Sequence, residues 1–396
     1  MTFFATWVGG GMILGAADEA YHTGWGVIFY PLGACLGFIL LGCGIGKRLS
    51  KFQVSTVAEI FEVIYGSTLL KKIASLLSIT SLFMILIVQI MASHKFLVSL
   101  HLENPLFFVL FWSVIILYTV QGGLKAVIST DLVQAIVFSA VLLLCFFFLS
   151  SDALVNSIHL QSFGQGSSKL WGWLLMPIIF MLIEQDMGQR CFAGACGKTV
   201  SKAAICAGIG AFVIGVIPIF FGVVAYQMGL QVPTNTSVLM VAIEALTNPW
   251  VTALAGCAIL AVLISTATSL INAISSNISN DFKLGKSLSM VKVITYTISI
   301  AAIFFSFYFN NIVDLLIQSY ELSVSCLFIP IFFALFKKKG YFLSAWLSIF
   351  FGAIGFVIFR IYPIEFPREV VSIVLSLLGY GIGEAIATKT RTFVLD

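Results

Sequence analysis

The chain has 396 residues, of which 60% are apolar and only 10% charged, where a soluble globular domain carries about 25% charged residues. With a mean hydropathy of +1.08, so few charges cannot solvate the outside of a soluble fold of this length. An ordinary soluble enzyme, a disordered chain and a nucleic-acid binder are excluded, because the net charge of +4 is spread between apolar runs and forms no basic patch. The eight cysteines show no disulfide framework, and no His or Cys completes a metal spacing around Cys191 and Cys196.

A membrane-crossing helix needs about 20 mostly apolar residues. Twelve such runs follow one another: 2–17, 25–45, 73–99, 105–121, 126–150, 170–187, 203–228, 248–279, 290–309, 311–336, 341–359 and 369–388. They are too long and continuous for barrel strands, so the expected fold is all-α and polytopic. With the N-terminus cytoplasmic, the inside loops collect seventeen Lys and Arg residues, among them Lys125, Lys286 and Arg391, and the outside loops only Lys169, Arg360 and Arg368. That bias places both termini in the cytoplasm and favours an even number of spans. No cleavable signal peptide precedes the first run. Between spans two and three, Thr56-Val57-Ala58-Glu59 reads as a capping box and Gly66 as a stop, with Val57, Ile60, Phe61 and Ile64 on one face. This short helix either lies on the membrane surface or packs under the bundle.

Three features point to a site. Span one carries Gly9-Gly10-Gly11 with Gly15 close behind, and span six carries Gly172, Pro177 and Gly188. Interrupted helices free backbone groups within the bilayer, which is tolerated only around a cavity or under protein cover. If spans one to five and six to ten are repeats, the two interruptions correspond, and such a pair marks a transporter binding site. Span eight is rich in hydroxyls: Ser265, Thr268 or Ser269, Asn272 and Ser276 share a face. Those oxygens suit a hard monovalent cation, or they bond back to carbonyls one turn earlier. Glu321 lies about 15 Å into span ten, flanked by Gln318 and Tyr320. A carboxylate at that depth is a functional candidate, here for a cationic solute group. Asp131 is either a helix-start charge or part of a cation route; Asp186 and Arg190 read as a helix-end ion pair; Asp18, Glu19 and His22 read as solvated; Lys95 reads as snorkelling. No phosphate loop, nucleophile elbow or attached ATPase is visible. No enzyme activity, organic cofactor or nucleic-acid partner is therefore expected.

The run Tyr118 to Gln134, YTVQGGLKAVISTDLVQ, resembles the signature between core helices four and five of the sodium/solute symporter family. Further ordered matches are GGGMILG from Gly9 with Ala20-Tyr21, TVAE from Thr56 through Tyr65-Gly66, Gln185-Asp186 with Gln189-Arg190, and ISTATSLIN from Ile264 before Asp281. The resemblance implies the leucine-transporter fold: a five-plus-five inverted-repeat core, divided here as 1–150 and 151–340, plus two C-terminal helices in 341–396. It implies alternating access in a cell membrane and Na⁺ as coupling ion, held by the carbonyls of Ala5, Val8 and Val262 and the hydroxyls of Ser265 and Thr266. Asp131 matches a family acidic residue on the cation path. The solute would lie near Gly9, Met12, Phe180, Gln318, Tyr320 and Glu321. Departures are a Thr at 268, where the family often has an acid, and a short start before Ala5, which leads to the expectation of a leaky or poorly ordered cytoplasmic gate. The partners implied are a small organic solute, with an amino acid or amine favoured, Na⁺ and the bilayer. Alternatives are a truncated, non-transporting solute sensor or a symporter for a carboxylate, vitamin or sugar.

Overall fold

The structure is a computed structural model that describes residues 2–149, 167–284, 287–309, 311–362 and 367–393. The expected repeat boundary at 150–151 and Lys286 lie outside the described residues, as do the side chains of Lys125 and Arg391. The helices are α1 Thr2–Trp7, α2 Ala16–Thr23, α3 Phe29–Leu40, α4 Gly46–Leu49, α5 Glu59–Tyr65, α6 Thr68–Ser99 and α7 Pro105–Phe147. After them come α8 Ser167–Phe180, α9 Gln185–Phe192, α10 Gly197–Gln227, α11 Val238–Leu246, α12 Pro249–Asp281, α13 Leu288–Ser306, α14 Ile312–Ala334, α15 Phe342–Ile361 and α16 Arg368–Phe393. No strand occurs among the described residues.

Eleven helical runs among the described residues are long and apolar enough to cross a membrane, one fewer than the twelve expected. The difference lies at the first two spans. Between α2 and α3 the chain turns at Gly24 (φ 74°, ψ −152°) and runs on through a short 3₁₀ turn, Gly24–Ile28, with no gap in helix assignment, so Gly11–Leu49 counts as one run. Spans four and five are the two arms of α7. The Tyr118 and Thr130 hydroxyls sit 2.9 Å apart, whereas twelve residues of straight helix would separate them by about 18 Å; the helix therefore bends sharply between its arms.

Burial sorts centre from periphery. Within the most apolar stretch, 78% of Ile312–Ala334 and 72% of Pro249–Asp281 are buried, against 22% of Pro105–Gly122 and of Leu288–Ser306. The inner helices carry the buried polar residues, and the outer ones expose Val114, Phe147, Ile300 and Phe304, the side chains expected to meet lipid. The short helix α5 is packed under the bundle, which decides between its two readings. Ile60 and Phe61 are fully buried, Tyr65 donates to the Pro330 carbonyl at 2.6 Å, and Thr56 donates to Asp281 at 2.7 Å. The Thr56 hydroxyl accepts the Glu59 N–H at 3.2 Å, as a capping box requires, while the Glu59 carboxylate reaches the Ser55 N–H at 2.7 Å.

The two C-terminal helices meet along small residues. On α15, Ser344, Ser348 and Gly355 face Gly383, Ser376 and Ser372 of α16, and the Ser348 and Ser376 hydroxyls are 2.9 Å apart. Small side chains let backbones approach where no hydrophobic force drives helices together. At Gly352 the approach is to α14, where a Cβ would sit 1.9 Å from the Ser325 carbonyl oxygen. Gly352→Val should therefore push α15 off α14 and lower the melting temperature in detergent by several degrees, a cost of about 1–3 kcal/mol or more. Gly381→Ala, where a Cβ meets nothing within 4 Å, should be neutral or stabilising by about 0.5–1 kcal/mol through helix propensity. Differential scanning fluorimetry of the two variants checks both signs.

A candidate cation and solute site at two helix breaks

The first helix breaks after Trp7. Helical bonding is lost at Val8 and Gly9 and resumes in a π-helical turn, Gly11–Gly15. The freed groups find partners on neighbouring helices. The Gly10 N–H donates to Gln89 Oε1 of α6 at 2.7 Å, and the Val8 carbonyl accepts from the Thr266 hydroxyl of α12 at 3.3 Å. Gly9 and Gly10 make this approach possible, since a Cβ would lie 2.8 Å from Thr266 Cγ2 and 2.6 Å from Leu263 Cδ2. The sixth run breaks at Met181–Glu184, one turn beyond Pro177, where Glu184 takes an extended conformation (ψ 136°) ahead of α9. Neither Gly172 nor Gly188 marks that break: both lie inside helices.

Ala5, Val8, Val262, Ser265 and Thr266 are all buried where α1 meets α12. Thr266 points at Val8, and Ser265 donates to Asp131 Oδ1 at 2.7 Å. Back-bonding claims other hydroxyls of α12 instead: Thr268 donates to the Ser265 carbonyl at 2.9 Å, and Ser279 to the Ser275 carbonyl. The back-bonding reading of the hydroxyl face thus holds for Thr268, whereas Ser265 and Thr266 are directed at other helices. Three carbonyls and two hydroxyls make an all-oxygen, uncharged donor set, which suits a hard monovalent cation.

Asp131 is fully buried and belongs to a charge cluster. Arg190 approaches Asp131 Oδ2 at 3.3 Å and ion-pairs with Asp186, one helical turn before it. It also donates to the Ser269 hydroxyl and to the Thr2 hydroxyl, each at 3.0 Å, and Thr2 donates to Asp131 at 3.0 Å. The expected helix-end pair of Asp186 and Arg190 is present, but it is interior and ties α1, α7, α9 and α12 together. At the end where a leaky or poorly ordered cytoplasmic gate is expected, Thr2–Trp7 is helical and Thr2 is bonded into this cluster.

Above the cluster a chamber opens on both breaks, lined by Trp7, Gly9, Met12, Tyr30, Gln89, Phe180, Glu184, Thr266, Leu316 and Tyr320 among others. Its free space is about 20 Å³, room for about one water. Phe180 and Tyr320 stack at 4.2 Å, Trp7 contacts Tyr320 at 5.8 Å and Tyr30 at 5.6 Å, and the two tyrosine hydroxyls are 3.1 Å apart. Gly9, Met12, Phe180 and Tyr320 are brought together as expected.

Gln318 and Glu321 are not, which corrects their assignment to the solute site. Successive helix residues turn by about 100°, so with Leu316 and Tyr320 facing the chamber, Glu321 faces away. Its carboxylate pairs with Arg368 Nε at 3.4 Å. The carboxylates lining the chamber are Glu184 and Asp186, the second already paired with Arg190, and the amide is Gln89, a polar residue inside an apolar span. A second cavity of about 380 Å³ is lined by Gly15, Asp18, Glu19, His22, Lys95 and Ile312. Its acids are not freely solvated as expected. Asp18 pairs with Lys95, which corrects the snorkelling reading, and Glu19 pairs with Lys169, each at 2.6 Å.

Comparison with known proteins agrees with this architecture. The sodium:solute symporter family profile matches residues 1–352. The human high affinity choline transporter 1 is 28% identical over 242 residues, 56% of this chain and 41% of that protein. The rat sodium/myo-inositol cotransporter 2 is 33% identical over 138 residues, 34% of this chain and 20% of its own length. The matched stretch thus spans about two fifths or less of these curated relatives. A Na⁺-coupled sialic acid symporter, solved substrate-bound and outward-open, superposes with a TM-score of 0.75 at 18% identity, covering 97% of this chain and 88% of that one. A nucleobase-cation-symport-1 family transporter in a closed conformation gives 0.67 at 13% identity, covering 98% and 91%. Both share the leucine-transporter fold, and the curated relatives are transporters rather than enzymes. A broken first helix set against a hydroxyl-bearing partner, an all-helical membrane fold and a profile match over most of the chain lead to one assignment: this protein belongs to the sodium:solute symporter family.

Proposed function

We propose that the chain couples Na⁺ to the symport of a small organic solute by alternating access, with an amine-bearing solute favoured. The observation that carries this reading is the Val8 carbonyl, freed by the helix break, facing Thr266 at 3.3 Å. Na⁺ is a transported substrate in this scheme, held by the carbonyls of Ala5, Val8 and Val262 and the hydroxyls of Ser265 and Thr266. Ser265 donates its proton to Asp131 and keeps oxygen lone pairs for the ion, so Na⁺ and the charge cluster share one side chain. Asp131 then lies on the ion's route to the cytoplasm, with the seventeen-to-three charge bias setting the orientation in a cell membrane. The division at 1–150 and 151–340 supplies one broken helix to each repeat.

The aromatic chamber supports an amine over a sugar. A polyol needs many buried hydrogen-bonding partners, and the one amide lining the chamber among the described residues, Gln89, already gives its oxygen to Gly10. The choline-transporter relatives support the amine reading, while the inositol relative keeps a polyol as the second reading.

Ser265→Ala with Thr266→Ala should abolish the rise in melting temperature that NaCl gives over KCl in the wild type, while the protein still inserts and purifies. A retained Na⁺ response would refute the ion site. Arg190→Gln leaves Asp131 and Asp186 buried without their counter-charge, which should cost about 3–5 kcal/mol and show as a large loss of thermal stability in either salt. Lys337→Gln breaks a rim pair with Glu384 whose side chains are both 31% exposed, and should cost about 0–1 kcal/mol. Parallel melting curves compare the two.

A further inference from the structure

We propose that Glu184 and the rings of Trp7, Tyr30, Phe180 and Tyr320 form a subsite for an organic monocation of the quaternary or tertiary ammonium class, built against zwitterions and anions. This deepens the solute reading above and rests on the chamber at the two breaks being the solute site. Glu184 is 7% exposed and lines the chamber. Its Oε2 is buried without a hydrogen-bond partner, and its carboxylate is bonded by no side chain among the described residues. A charge left that way is costly inside an apolar core, and a cation beside it removes much of that cost. The walls around it are aromatic faces, whose quadrupoles attract a desolvated cation in the same place.

The chamber offers a carboxylate little: Trp7 Nε1 is buried without an acceptor, but the backbone and guanidinium donors nearby are taken. At a broken helix the natural anion donor is the free N–H heading the second half. Here that group, Gly10 N–H, is held by Gln89 Oε1 at 2.7 Å. The nearby guanidinium of Arg190 is engaged by Asp131 and Asp186. A solute carboxylate would meet Glu184 with no unengaged donor from either group. Because the free space is only about 20 Å³, the cation enters by parting the Phe180–Tyr320 stack, whose rings now lie 4.2 Å apart.

The test uses the full chain, purified, with binding followed by thermal shift and isothermal titration in NaCl and in KCl. The probes are choline and tetramethylammonium, the uncharged isostere 3,3-dimethylbutan-1-ol, the zwitterion glycine betaine, and myo-inositol. The expected result is Na⁺-dependent binding of at least one of the two cations, at least tenfold weaker binding of the isostere and of betaine, and at least tenfold loss of cation binding in Glu184→Gln. Tyr320→Ala should lose cation binding similarly, and Glu321→Gln should retain it. Wild-type comparison of choline with its isostere needs no variant, so misfolding of Glu184→Gln does not rescue the idea. Equal binding of cation and isostere, preference for betaine or inositol, no binding of either cation, or undiminished cation binding in a folded Glu184→Gln overturns this inference alone. Cation binding that is identical in NaCl and KCl instead overturns the Na⁺-coupled reading and leaves the subsite standing.

Discussion

An interrupted helix in an apolar interior leaves backbone groups that must find partners, and the arrangement at the centre of this protein follows from that requirement. Gln89 takes the Gly10 amide and Thr266 meets the Val8 carbonyl, so α6 and α12 are drawn against the break from two sides. Glycine at positions 9 and 10 is what allows them so close. Other choices depend on these contacts: a hydroxyl-rich α12, a polar residue in an otherwise apolar α6, and a chamber lined by aromatic rings.

The charge cluster is the second organising element, and it shares a residue with the first. Ser265 belongs to the proposed oxygen cage, yet its hydroxyl is donated to Asp131. Arg190 binds that same carboxylate together with Asp186, Ser269 and Thr2. A buried pair of this kind adds little net stability but makes each member expensive to remove. Such a knot holds four helices in one register and couples that register to the oxygen of Ser265.

The sequence made the architecture readable because the strongest signal, runs of apolar residues long enough to cross a bilayer, needs no tertiary context. The capping box at Thr56 and the glycine break were equally local and equally readable. What failed was helical phase and partnership. Glu321 had the right depth, but one residue of rotation turned it toward Arg368. Glu184 sat at a break whose position depended on where the chain left helical geometry after Pro177, not on Pro177 itself. Gln89 sits alone in an apolar run, and only the Gly10 amide opposite it gives it a role. The eleven runs differ from the twelve expected only because Gly11–Leu49 counts as one through the corner at Gly24, where φ is 74°. Depth comes from counting along one chain; facing comes only from what packs alongside.

The short helix Val238–Leu246 is suspended by its first amide groups. The Ser237 N–H donates to the Ser99 hydroxyl at the end of α6, and the Val238 N–H to Asp18 on α2, which also grips Lys95. One acid therefore serves three elements: Asp18 joins α2 to α6 through Lys95 and fixes the start of this helix through its first amide. Val238 and Asp18 both line the larger cavity, so the wall of its mouth is set by the same bonds that hold the broken first helix against α6.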